Sequence, residues 1–101
     1  MSNYRISKLA QNDLENIWEY TSREWSPNQA EKYLDGLLNC FQALGDKRIK
    51  GKPAEHIREG YFKCPFIKHQ IFYRQSPDYK IEIIRVLHVS MDVEKQFNVR
   101  E

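Results

Sequence analysis

The residues best suited to chemistry lie toward the C-terminal end of this chain. In IIRVLHVSMD, Ile83 to Asp92, Arg85 interrupts an aliphatic run and His88 stands where the run gives out. Together with Arg58 and Arg74 they fall on what read as the last three strands. Gathered at one point, these arginines would grip a phosphate, with His88 as general acid or base. That is a set for RNA cleavage, in which a 2′-hydroxyl is deprotonated and a pentavalent phosphate is neutralised. A structural reading stands beside it. Arg85 pairs with a carboxylate such as Glu59, and His88 hydrogen-bonds backbone groups at the strand end. Spacing alone leaves both open.

Other reactive side chains point to less. His56 and His69 have neither HxxxH nor HExxH spacing, so no metal is expected. Cys40 and Cys64 fit no metal spacing, and one pair is too little for a disulfide scaffold. Cys40 lies on a helical pattern and reads as a small core residue. No cofactor is implied, and the reading is of a reduced, cytoplasmic protein. Trp18, Trp25, Tyr33, Tyr61 and Tyr73 have faces on which bases stack. Trp18 and Trp25 share an apolar helical stripe and read as packing residues. Tyr61 and Tyr73 lie on strands that can face the open side of a sheet.

The elements that would position these residues follow from periodicity. Tyr4 and Ile6 alternate as a short strand, and Ser7 is a helix N-cap. Ala10, Leu14, Ile17, Trp18, Thr21 and Trp25 make one helical stripe. In SPNQ, Ser26 caps, Pro27 takes the first helical position and Gln29 completes a capping box. Ala30, Tyr33, Leu34, Leu37, Leu38, Phe41 and Leu44 make a second stripe, with Gly45 as terminator. Gly36 within it costs about 1 kcal/mol against alanine, and its role would be close packing. The period then changes. Ile57 to Cys64, Lys68 to Arg74 and Lys80 to His88 read as strands, with QSPDY, Gln75 to Tyr79, as a turn. In the last strand Ile81, Ile83, Arg85 and Leu87 point one way, and Glu82, Ile84, Val86 and His88 the other. Both faces are partly apolar, so one takes the helices and the other is expected to need a partner. Ser90 caps a short terminal helix holding Met91, Val93 and Phe97. The fold class is α+β. An N-terminal strand and a two-helix hairpin pack on a small antiparallel sheet (β-α-α-β-β-β), followed by a short C-terminal helix.

With 101 residues the chain reads as one domain spanning 1–101. No apolar run approaches a membrane span, and the N-terminus lacks the apolar core of a secretory signal. The net charge of +2 is too small to imply nucleic-acid binding. It is unevenly spread. Four Lys/Arg against six Asp/Glu give −2 through Gly45, and twelve against eight give +4 from Asp46 onward. The basic excess is densest in DKRIKGK, Asp46 to Lys52. An anion-binding loop and a solvated loop both fit that composition.

Several stretches, in order and spacing, resemble one family. They are YRISKLAQNDLENIWEY, WSPNQA, REGY from Arg58, HQIFYR from His69, and IIRVLHVSMD. The chain resembles the ParE branch of the RelE/ParE superfamily, toxins of bacterial type II toxin–antitoxin modules. That resemblance implies a helical hairpin on an antiparallel sheet. It also implies poisoning of DNA gyrase by binding, with the A subunit as target, and neutralisation by a ParD-like antitoxin in a higher-order hetero-oligomer. No direct sequence-specific nucleic-acid binding and no membrane role are implied. The RelE-like alternative is a ribosome-dependent mRNA endoribonuclease. It would draw on Arg58, Arg85 and His88, but VSMDVEKQFNVRE has no C-terminal tyrosine, and its Met91–Asp92 resembles the ParE pattern. Lysines in GDKRIKGKP keep the alternative in view. A third reading is an antitoxin-binding remnant without toxicity. On the ParE reading, Tyr61, Tyr73, His88, Met91 and Asp92 are candidates for touching gyrase. Trp18, Trp25, Tyr33, Lys47, Arg48 and Lys50 are candidates for touching the antitoxin, which is expected to cover the hairpin and the adjoining sheet edge.

Overall fold

Ser7 makes the chain turn from strand to helix where it does. Its backbone is extended and its Oγ accepts a hydrogen bond from the Ala10 amide at 3.0 Å. The same hydroxyl donates to the Ile84 carbonyl at 2.8 Å, so one side chain both starts a helix and ties it to the sheet. The protein is described by a computed structural model covering residues 3–78 and 80–97. Tyr79, the end of the QSPDY turn, and residues 98–101 of the terminal segment lie outside the described residues.

Strand β1 (Tyr4–Ile6) leads through Ser7 into α1 (Lys8–Glu24), and α2 (Pro27–Gly45) follows after two residues. Ser26 caps α2 by accepting from the Gln29 amide at 3.1 Å, with Pro27 at the first helical position, as its sequence requires. The end of α2 differs from expectation. Gly45 is buried and still helical, and a Cβ there would lie 2.7 Å from the Asn3 carbonyl oxygen. The left-handed residue that ends the helix is Lys47, at φ 63°. Gly36 allows the close packing its position suggests, because a Cβ would sit 2.6 Å from Phe66 Cζ.

The sheet comprises β1, β2 (Lys52–Pro53), β3 (Tyr61–Phe66), β4 (His69–Gln75) and β5 (Ile81–His88), in the order β1-β5-β4-β3-β2. Neighbours from β2 to β5 are antiparallel, and β1 runs parallel to β5. The α+β architecture read from the sequence is therefore present, with a mixed sheet. The third strand starts later than Ile57. Ile57 and Arg58 instead form a turn whose amides donate to the Ala54 carbonyl, and Gly60 at φ 85° swings the chain into β3.

The expected alternation of β5 fails at one point. Phe72 pairs with Arg85 but Tyr73 pairs with Ile83, so Ile84 is an extra residue in a β-bulge. The bulge resets the pleat, and Ile81, Ile83 and Val86 all enter the core beneath the helices with Ile17, Leu37 and Phe41. The opposite face is covered by the chain itself. Phe97 of α3 (Val93–Phe97) stacks edgewise on Phe72 and Tyr61, and Phe72 is 1% exposed. The partner expected for that face is not needed to bury it. Among the described residues, no helix is long and apolar enough to cross a membrane.

Candidate functional site

Strand β1 stops at Ile6, so β5 continues past it with an unpaired outer edge. The first half of α1 fills the gap. Asp13 accepts the Val86 amide at 2.9 Å and receives Arg85 Nε and Nη2 at 2.8 and 2.9 Å. Arg85 therefore pairs with Asp13 on α1 and not with Glu59. The fork is largely sheltered, with side-chain exposures of 13% and 11%. The hydrogen bonds to Asp13 hold Arg85 even more firmly protonated than a free arginine. A guanidinium so engaged is committed to holding the helix on the sheet.

The other proposed phosphate ligands are dispersed. Arg74 pairs with Glu82 at 2.8 Å. Arg58 lies over the Tyr61 ring, on the face that carries α3, whereas His88 lies on the hairpin face. The sequence allowed these groups to converge, but the sheet separates them.

His88 does cap the strand end. Its Nδ1 accepts the Ser90 amide at 3.0 Å and lies 2.8 Å from Ser90 Oγ. Opposite it on β4, His69 meets the His88 ring edge to face at 5.2 Å. His69 Nδ1 is 2.7 Å from Tyr33 Oη, which also accepts the Lys68 amide at 3.3 Å. Burial, helped by His88 and opposed by Asp13, pushes His69 down to about 4, so its ring is neutral near pH 7. Burial also raises the Tyr33 hydroxyl, which stays protonated. Cys40 is pushed up to about 12 by burial and by the neighbouring Cys64, itself raised by burial, so both are inert thiols.

These imidazoles lie in a groove of about 690 Å³ between α1, the start of α2, the β3–β4 turn and the end of β5. Large apolar side chains surround it: Tyr20, Trp25, Ile67 and Met91 are 57, 69, 73 and 46% exposed. Exposed apolar residues scattered over a surface need no explanation, but four around one concavity do. Ile67 adds a second anomaly. It is the first of only two residues between β3 and β4, and its φ is 53°. Left-handed backbone is strained for a β-branched residue, and that hairpin position favours glycine. Folding alone would not select isoleucine there.

The antitoxin candidates do not share one place. Trp25 and Tyr33 line the groove. Trp18, like Trp25, is exposed and is not a packing residue of the core. Lys47, Arg48 and Lys50 are exposed beyond the far end of α2, where Arg48 pairs with Asp46 at 3.3 Å. Among the gyrase candidates, Tyr73 must be withdrawn. It is 4% exposed in the core, with its hydroxyl accepting the Gly51 amide at 2.7 Å. Tyr61 is half-buried under Phe97, Asp92 accepts the Lys95 amide near the start of α3, and His88 and Met91 line the groove. Sequence reasoning missed Tyr20, Ile67 and Asp13. For Ile67 a signal existed: the tight connection CPFIKH lacks the glycine or asparagine that such a turn prefers. Among the described residues no cluster of three or more metal-ligating side chains occurs.

The chain is similar to known proteins over nearly its whole length. Residues 4–93 match a family model described as the ParE toxin of the type II toxin–antitoxin system parDE. A "Toxin ParE1" of Caulobacter vibrioides is 38% identical over 92 residues, covering 91% of this chain and 94% of the relative. A "Toxin ParE1" of Mycobacterium tuberculosis is 40% identical over 95 residues, covering 93% and 96%. A solved structure of a chromosomal ParDE toxin–antitoxin system from P. aeruginosa matches with TM-score 0.75 at 19% identity. It covers 89% of this chain and 98% of that one, and the likeness is one of fold.

Proposed function

Since the chain belongs to the ParE family of type II toxin–antitoxin toxins, we propose that it poisons DNA gyrase by binding and is neutralised by a ParD-like antitoxin seated in the α1–α2 groove. The observation that carries the antitoxin's place is the ring of Tyr20, Trp25, Ile67 and Met91 around one concavity. A segment that is disordered alone and folds on binding would bury those side chains. The A subunit of gyrase is the proposed target, the cytoplasm the place of action, and a higher-order hetero-oligomer the neutralised state. A binding mode, as opposed to nucleolytic chemistry, agrees with the commitment of Arg85 to Asp13 and the separation of Arg58 from His88.

The deciding experiment runs two assays on one purified sample. With gyrase and plasmid DNA, inhibited supercoiling or accumulated cleaved DNA is expected. With translating ribosomes, intact mRNA is expected. Cut mRNA beside unaffected gyrase would overturn the reading in favour of the RelE type. No effect in either assay, with growth unimpaired on induction, would make the chain a remnant.

A further inference from the structure

Resting on the reading of the groove as the antitoxin's seat, we propose that its occupant sets one Asp or Glu side chain on His88, between aliphatic residues that fill the apolar rim. A backbone amide fixes the tautomer of His88. A backbone amide can only donate, so the bond from Ser90 N makes His88 Nδ1 an acceptor and leaves the ring proton on Nε2. The Tyr33 hydroxyl donates to the Phe66 carbonyl at 3.3 Å and lies 2.7 Å from His69 Nδ1, so His69 is already engaged with α2. His88, beside it in the groove, holds its remaining hydrogen-bonding capacity as one N–H donor.

The charges around them have one sign left over. From α1 comes Asp13, whose oxygens are taken by Arg85 and the Val86 amide. From α2 comes only the protonated Tyr33 hydroxyl. From the β3–β4 turn comes Lys68, exposed at the groove and with no ion pair to it among the described residues. Asn16 and Gln29 also line the concavity and can donate or accept, but among its described lining residues the one carboxylate is neutralised and the one unpaired charge is the positive Lys68. A purely aliphatic occupant would strip water from the His88 Nε2–H without replacing its hydrogen bond, and a buried unmet donor is costly. A carboxylate satisfies it and complements Lys68.

The test is selection of random 16-residue peptides displayed on phage against the folded chain. Selected peptides should share aliphatic residues and one acidic residue at a constant offset from them. Selection on His88→Phe should retain the aliphatic positions and lose the acidic one, and His88→Gln, which keeps an N–H donor, should restore it. On the native chain, changing the acidic residue of a selected peptide to its amide should weaken binding at least tenfold. On His88→Phe the same change should cost less than twofold. Aliphatic consensus without an acidic position, or an amide change costing under twofold on the native chain, overturns the carboxylate while leaving the groove as a docking seat. Enrichment that is indifferent to Trp25→Ala and Ile67→Gly overturns the seat and the carboxylate together. The peptide-side change needs no variant of the protein, so a poorly folded His88→Phe does not spare the proposal.

Discussion

At the scale of single residues, Asp13 has the largest structural role that the opening motif did not reveal. It satisfies an edge amide and both ends of a guanidinium fork, all within a few ångströms of a strand end. Asp13→Ala leaves Arg85 charged in a sheltered place with nothing to pair. It should cost about 3 kcal/mol in urea unfolding. Asp13→Leu with Arg85→Met removes both charges and should cost clearly less than the sum of the single changes, measured in a double-mutant cycle. His69 makes a second prediction. Its folded value of about 4 lies below the ordinary histidine value of 6.5, chiefly because burial disfavours the charged ring. Between those values the unfolded chain binds a proton that the folded chain refuses. The stability supplied by neutral His69 is complete above about pH 6.5 and drains away as pH falls toward 4. Melting temperature should drop across that window, and His69→Phe should flatten the drop. An equal slope in the variant would place the acid sensitivity elsewhere.

At the scale of elements, what was legible depended on whether a local signal fixed the geometry. The caps Ser7 and Ser26, the two helices and the antiparallel β4–β5 pair all follow from short-range patterns, and all stand. The bulge at Ile84 does not, because an extra residue in a strand is set by the partner strand and leaves no periodic trace of its own. It reversed the predicted facing of Val86 and His88 relative to Ile81 and Ile83. Exposure was equally hidden. Trp25 obeys the helical period yet, as the C-cap of α1, is 69% exposed. The sequence singled out His88, Trp25 and Tyr33 one by one, but not His69 or the groove that all four line. The β3–β4 turn shows how such an element serves two ends. Ile67→Gly removes a β-branched side chain from left-handed backbone and should stabilise the fold by about 1 kcal/mol. The same change takes away the most exposed of the large apolar groups and should weaken antitoxin binding several-fold. Titration calorimetry beside thermal melting checks both. A variant that is less stable, or that binds antitoxin unchanged, would remove Ile67 from the contact.

For the molecule as a whole, the two proposed activities meet in one place. Antitoxin candidates Trp25 and Tyr33 line the same groove as gyrase candidates His88 and Met91. The basic loop, by contrast, begins beyond the other end of a 19-residue helix, on the order of 28 Å away. If both partners use the groove, neutralisation is direct occlusion and needs no change of shape in the toxin. The linkage is then strict: gyrase and antitoxin compete, each raising the apparent Kd of the other in proportion to its own concentration. Loop changes such as Lys47→Glu with Lys50→Glu would weaken antitoxin without touching gyrase. A Met91→Asp change would weaken both. The measurement is gyrase inhibition titrated with antitoxin, read for native chain and the two variants. A ternary complex of toxin, antitoxin and gyrase A subunit on a sizing column, or a Met91→Asp chain that still inhibits gyrase fully, would show that the two partners occupy different surfaces. Occlusion would then give way to an allosteric or sequestering mode of neutralisation.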